Sequence, residues 1–373
     1  MANTMNDERR YYLAFNLTSG VGPTRLRLLR DRCGSLAAAW QASAATLQAT
    51  GLDGKTVEAI LSKRAKLDLD AELAKLERLG VSIVTWDDNE YPLRLREIAN
   101  SPPLLYVRGE VGLRDETAVA IVGTREMSPY GKQIAYELGR DLAQNGVTVV
   151  SGLARGVDTE AHRGALAVGG RTIAVLGCGV DTIHPFSNRQ LGQQIIANGA
   201  LVSDYAVGIR PEAANFPPRN RIISGLSLGV IVVEAGARSG ALITVAFALE
   251  QGREVFSVPG DVTRLSSIGT NDLIRNGARL VSSAQDVLDE LRLADAPVQL
   301  EMKQMLPSDP TESRLLTILS RQPQHLDEIS RESELSAAQV SATLLMMALK
   351  GMVREVGPGL YVSTLVHFEG QDG

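Results

Sequence analysis

Apolar positions along this chain fall into three regimes, and each predicts a different kind of element. Over the first eighty or so residues they recur at helical spacing among charged ones. Residues 9–17 carry one such stripe, and the alanines of residues 36–50 suit close helix packing. Val57, Ile60 and Leu61 share a face. Residues 63–78 set Leu67, Leu69, Leu73 and Leu76 beneath a face of mixed charge. From about 81 to 293 the pattern changes to short, continuous apolar runs: 81–85, 117–122, 147–150, 171–176, 200–203, 229–234 and 254–258. Runs of that length without alternation predict strands buried on both faces. Helical segments separate them, one starting at Pro129 and running to about 145, another over 159–168. Strand alternating with helix predicts an α/β fold, a mostly parallel sheet doubly wound by helices. Prolines extend residues 89–93 and 101–107, which are expected at an edge of that sheet. Residues 294–306 read as a linker. Over 307–368, helical stretches at 311–320, 326–333 and 337–350 precede a hairpin, 352–356 and 360–362, which predicts a winged helix.

The candidate chemistry lies where the strands end. The run to Val122 is followed by Gly123, Thr124 and Arg125; the run to Val150 by residues 151–158; the run to Leu176 by Gly177, Cys178 and Gly179. Ligands of doubly wound sheets bind at this carboxyl edge, and small residues there let a ligand approach the backbone. Residues 215–260 are the densest stretch. Phe216, Arg219 and Arg221 open it, a helical turn is expected over 222–226, and a strand over 229–234 leads to Gly236, Arg238, Ser239 and Gly240. Ser239 is placed to cap a helix running to about 251, and such a helix start offers N–H groups to an anion. Arg125, Arg155, Arg219, Arg221 and Arg238 all stand within a few residues of these turns. The pattern predicts a shared phosphate-binding edge. It is neither G-x-G-x-x-G nor a Walker A loop, so dinucleotides and triphosphates have no direct support. Aromatic, cationic and anion-binding groups this close together suit a single-stranded nucleic acid better than a metabolite.

Composition sharpens that picture. Only 4% of the 373 residues are aromatic, so a phenylalanine beside arginines stands out. The formal net charge of −5 requires any phosphate site to be a local patch. Cys33 and Cys178 are far apart, which predicts neither a disulfide framework nor a cysteine zinc site and fits a reducing cytoplasm. No charged-then-apolar leader opens the chain and no apolar run reaches 18 residues, so a soluble, cytoplasmic protein is expected. Several polar residues carry two readings. Glu234 is either a catalytic carboxylate or a partner for loop amides or an arginine. Asp158, Glu160 and His162 suggest acid–base work, but His162 has no second ligand at metal spacing and reads as structural. Asp181 and His184 read as loop-holding groups. Gly20, Gly22 and Arg25 belong either to a helix–hairpin–helix contact with a DNA backbone or to a tight turn in a helical bundle.

Several segments together resemble one family. They are residues 120–125, 151–158 with Ala161 and His162, 177–181 with His184 and Pro185, Phe216 to Gly225, Glu234–Ala235, Ser239 to Thr244, and Gly252 to Gly260. In this order they are similar to the DNA-processing protein A family (DprA, or Smf), whose Phe-Pro-x-Arg-Asn-Arg segment is its most specific mark. The resemblance implies an extended Rossmann-like fold, with a SAM or helix–hairpin–helix-like helical domain over 1–80, the sheet over 81–293 and a winged helix over 307–368. It implies binding and protection of single-stranded DNA without hydrolysis, and loading of the RecA recombinase in natural transformation. It assigns Gly123 and Arg125 to phosphate contact, Phe216 to base stacking, Arg219, Asn220 and Arg221 to the groove, and Ser239 and Gly240 to helix amides. Some members carry a lysine where Ala213 stands here; Arg210 is the candidate replacement. The resemblance further implies a homodimer near Asn271, Ile274 and Leu280, and no cofactor or metal. Two other functions compete. A nucleotide enzyme of the phosphoribohydrolase kind would use a related sheet, but lacks an acid–base pair beside a phosphate loop. A transcription regulator would use the winged helix, but its third helix offers Gln339, Ser341 and Thr343 with a single basic residue, Lys350, which suits protein contact better than DNA.

Overall fold

The computed structural model describes residues 2–293, 310–319, 324–333, 335–349, 353–357 and 359–363. The expected linker at 294–306 and Lys350 lie outside the described residues. Residues 1–298 form one compact unit and 299–373 a second.

The first unit is built on a nine-stranded sheet. In chain order its strands are β1 (Ser82–Thr85), β2 (Leu104–Gly109), β3 (Ala118–Val122), β4 (Thr148–Ser151), β5 (Thr172–Val175), β6 (Gly199–Ser203), β7 (Gly229–Val232), β8 (Glu254–Ser257) and β9 (Arg279–Leu280). Their spatial order is β1-β2-β6-β5-β4-β3-β7-β8-β9. From β6 to β9 every pairing is parallel; β2 joins β6 antiparallel, and β1 closes that edge. Apolar residues fill both faces, as the sequence pattern predicts. Ala118, Ala120 and Val122 enter one core, and their neighbours Val119 and Ile121 enter the other. The chain winds outward from β3 to β6, returns to pair β7 with β3, and winds the other way to β9. The reversal therefore falls between β3 and β7, where Val122 pairs with Val232, and the crevice beyond that pair is where such sheets bind ligands.

Helices Pro129–Gln144 and Val157–Ala167 pack closely on one face. Glycines at their crossing permit it. A Cβ on Gly139 would sit 2.3 Å from the Ala161 carbonyl oxygen, and one on Gly164 would sit 2.0 Å from that of Tyr136.

The first eighty residues are helical, but they share one core with the sheet: Tyr12, Phe15 and Trp40 are buried in the same cluster as Leu104 and Tyr106. The Tyr106 hydroxyl donates to Asn16 Oδ1 at 2.8 Å. The stripe expected over 63–78 is broken into two helices, Gly54–Lys66 and Leu69–Arg78. Asp68 makes the break, because its carboxylate accepts from the Asp70 and Ala71 amides and starts the second helix afresh. At the Gly20 turn, Arg25 donates to the Gly20 carbonyl and Thr56 and pairs with Asp53. Its guanidinium is spent on its own bundle, which favours the tight-turn reading over a DNA-backbone contact.

The second unit holds three helices, Pro310–Ile318, Leu326–Ser333 and Ala337–Leu349, and strands β10 (Gln324–His325), β11 (Val353–Gly357) and β12 (Leu360–Ser363) in the order β10-β12-β11. Leu315, Ile329, Val340, Leu344 and Met347 form its core. This is the expected winged helix, with one short strand, β10, that two polar residues gave no sign of. Among the described residues no helix is long and apolar enough to cross a membrane.

Candidate nucleic-acid interface

The loops after β3, β4 and β7 and the start of one helix enclose a cavity of about 650 Å³ at the switch point. Helix Phe216–Gly225 forms one wall. The sequence reading allowed only a helical turn over 222–226. The helix starts six residues earlier because Pro217 and Pro218 sit in its first turn, where a missing N–H costs nothing. That start lifts Phe216 onto the cavity rim. Its half-buried ring stacks on His184 at 5.9 Å between centroids and 28° between planes. The Arg125 and Arg219 guanidinium carbons lie 5.7 and 6.0 Å from its centre. Gly177 makes the position possible, since a Cβ there would come within 2.8 Å of the ring.

Seven of the eight expected residues line this one cavity: Gly123, Arg125, Phe216, Arg219, Asn220, Ser239 and Gly240. Arg221 does not. It faces a separate hollow of about 350 Å³, pairs with Asp204 at 2.7 Å and donates to the Asn100 and Pro218 carbonyls. Its groups are committed to tying loops together. Ala213 lines the cavity, but Arg210, exposed nearby in sequence, does not.

The two remaining arginines differ in kind. Arg125 is exposed and has no carboxylate within ion-pair range among the described residues. Arg219 is 4% exposed and forms the floor. One of its terminal nitrogens donates to the Gly152 carbonyl at 3.0 Å, and its Nε has no protein partner. Burial lowers its pKa to about 10, with Asp158 opposing the shift, so it stays charged at neutral pH. Burial in turn raises the Asp158 carboxyl, against the pull of Arg219. Asp158 Oδ2 accepts from the Gly152 and Ala154 amides, so Gly152 is clamped from both sides. Arg219 thus gives the cavity a fixed positive floor, while Arg125 is free to reach a ligand.

The glycines at the strand ends also divide. The expectation was that they let a ligand approach the backbone. Instead the Arg219 guanidinium fills the space beside Gly152, the Phe216 ring that beside Gly177, and Val157 that beside Gly123. Of the expected glycines that line this cavity, Gly240 has nothing within 4 Å. Helix Ala241–Glu250 is capped at Gly240 and not, as expected, at Ser239, although the Ser239 Oγ still accepts from the Ala241 amide at 3.3 Å. The Ser239 N–H is taken by the Gly236 carbonyl, and among the described residues no partner is found for the Gly240 N–H. An anion would meet Gly240 first.

The remaining polar candidates hold structure. Glu234 accepts from the Ser128 amide and hydroxyl. His162 is fully buried against the Thr172 hydroxyl, and burial, reinforced by Arg219, lowers its pKa to about 3. It is neutral at physiological pH and does not line the switch-point cavity. Asp181 accepts from the Gly208 amide. His184 is different: it stacks on the Phe216 ring, a contact that left no sign in the sequence.

A family model described as DNA recombination-mediator protein A matches residues 82–292, and one described as the DprA winged helix domain matches residues 284–359. The chain belongs to the DNA recombination-mediator protein A family. Protein Smf of Synechocystis sp. is 36% identical over 95% of this chain and 98% of its own length. DNA processing protein DprA of Streptococcus pneumoniae is 46% identical over 59% of this chain and 78% of its own. Its X-ray structure aligns with a TM-score of 0.66 over 75% of this chain and 97% of that one, at 36% identity. DNA processing protein A of Helicobacter pylori, whose structure is described for its single-stranded DNA binding mode, aligns with a TM-score of 0.51 over 57% and 96% at 33% identity.

Proposed function

We propose that this member of the family binds single-stranded DNA at the switch-point cavity without hydrolysing it, protects it, and passes it to the RecA recombinase in the cytoplasm during transformation and recombination. The observation that carries the reading is Phe216: an aromatic ring on the cavity rim, flanked by two guanidinium groups and lining the same cavity as Gly240. A base stacks on the ring. Its phosphates meet exposed Arg125 and Arg238 and the Gly240 N–H, above the buried charge of Arg219. The single-stranded DNA mode described for the Helicobacter pylori relative supports it. So does the way the acidic candidates are used. Glu234 and Asp158 are committed to backbone amides, and His162 is buried and neutral, which weakens the nucleotide-enzyme alternative.

Arg125→Ala tests the phosphate contact. Neutralising one phosphate of a single strand contributes about 0.7 to the slope of log affinity against log salt. The variant is expected to flatten the slope by about that amount in fluorescence anisotropy titrations across salt. An unchanged slope and affinity would remove Arg125 from the groove.

The same reading includes a homodimer through the surface that carries Ile274 and Leu280. Leu280 is 52% exposed on the two-residue edge strand β9, and Ile274 is half-buried on the helix before it. Asn271 is better suited to support than to contact, because its side-chain amide donates to the Gly260 carbonyl and accepts from the Gly260 N–H. Ile274→Glu would bury an unpaired carboxylate on association and is expected to sediment as a monomer. A folded variant that still sediments as a dimer places the interface elsewhere. The winged helix fits a protein contact: the described part of its third helix exposes Gln339, Ser341, Leu345 and Met346 and carries no basic residue.

A further inference from the structure

Phe186 stands in a tight turn, Phe186–Asn188, two residues beyond the histidine on which Phe216 stacks. It is 78% exposed, the most exposed aromatic among the described residues; the next, Tyr130, is 45% exposed. A ring that open is not core, in a chain where aromatics are few. Nor is it on a loose loop. The Asn188 side chain, itself buried, donates to the Leu153 carbonyl at 2.9 Å and the Thr159 hydroxyl at 2.8 Å. Leu153 precedes Ala154, which lines the cavity, and the Thr159 hydroxyl donates to the Ala154 carbonyl at 2.7 Å. The turn is thus pinned to the cavity rim. Arg189 lies beside the ring, its guanidinium carbon 5.9 Å from the centre. It is exposed and has no ion-pair partner among the described residues; the same holds for Arg155, next to Ala154 in the loop after β4. Two residues of chain span at most about 7.2 Å, so the Phe186 backbone stands next to that of the histidine in the His184–Phe216 stack.

We propose that Phe186 and Arg189 form a second stacking subsite for single-stranded DNA, so that the strand runs from the Phe216 cavity across His184 and places a further base on Phe186. This rests on the reading of the cavity as a single-stranded DNA site. A base needs only a flat apolar face and a nearby cation for its phosphate, and this turn presents both on a fixed support. The occupant is a base of the same strand, because Asn188 ties this turn to the Leu153–Ala154 backbone at the cavity wall.

The test compares the full-length protein with Phe186→Ala, Phe186→Trp and Phe216→Ala in anisotropy titrations against a single-stranded oligothymidine and a duplex. Phe186→Ala is expected to lose about tenfold in affinity for the single strand and none in melting temperature, because the ring is exposed. Phe186→Trp is expected to restore binding, with its emission quenched as the oligonucleotide is added. Trp40 and Trp86 are each 7% exposed and give little competing change. If Phe186→Ala binds as the unaltered protein does while Phe216→Ala is weakened, the subsite is wrong and the cavity reading stands. If both bind normally, the cavity reading itself falls. A Phe186→Ala protein that changes only in sedimentation assigns the ring to a protein contact and overturns the proposal.

Discussion

Phe216→Ala is expected to weaken single-stranded DNA binding by about one to two powers of ten, since stacking on an aromatic side chain contributes roughly 1–3 kcal/mol per base. The structure adds to the argument. The ring is held rather than mobile: Gly177 lies beneath it, His184 stacks on it and two guanidinium groups flank it. A base therefore finds the platform already ordered and loses little entropy to organise it. The loss should be similar for mixed sequences, because every base has a flat face. It should also persist at high salt, unlike that of Arg125→Ala, because stacking releases no counterions. The ring is half-buried, so truncation has a stability cost of about 1 kcal/mol, a few degrees of melting temperature at most for a unit of this size. Anisotropy across salt, paired with a thermal melt, checks all three points. Normal binding by a stable variant would place Phe216 outside the groove and remove the observation on which the proposed function stands.

Gly164→Ala is expected to have the opposite profile: a large loss of stability, with binding affected only through it. A Cβ at residue 164 would lie 2.0 Å from the Tyr136 carbonyl oxygen and 2.8 Å from the Arg140 amide nitrogen. Both are backbone atoms of the facing helix, so no side-chain rotation relieves the clash. Helices Pro129–Gln144 and Val157–Ala167 must separate, which opens the packing around Leu138, Leu142 and Ala165. Overpacking of this kind costs about 1–3 kcal/mol and occasionally more. Replacing glycine by alanine inside a helix would by itself gain about 1 kcal/mol, so a net loss isolates the packing effect. The expected readout is a lower midpoint in urea with an unchanged slope. A midpoint at or above that of the unaltered protein would show that the helices yield at this crossing.

Much of the fold was legible because its signals are local. Continuous apolar runs such as residues 118–122 and 229–232 can be satisfied only by burial on both faces, and helices between them force a parallel sheet. The winged helix follows from three amphipathic stretches and a hairpin. The short strands β9 and β10 left no such trace, because Arg279–Leu280 and Gln324–His325 pair through backbone groups that every residue carries. The split at Asp68 was legible in principle: an aspartate ahead of a helical run is a cap signal, masked here by leucines on both sides.

By itself the sequence determined the parts of the site: an aromatic, several arginines and small residues at the carboxyl ends of adjacent strands, in an order that marks the family. It left Arg125, Arg219 and Arg221 alike. Tertiary structure sets them apart: Arg125 exposed at the cavity, Arg219 buried in its floor and Arg221 tying loops together. The physical reason is the helix that begins at Phe216. Residues two apart on a helix point about 200° from each other, so Arg219 and Arg221 must face opposite sides. Pro217 and Pro218 announced that helix, but which of its sides met the cavity depended on how it packs against the sheet. The glycines divide for the same reason. Composition shows that space is available beside the backbone; only the packed structure shows whether a ligand or the protein's own side chain fills it.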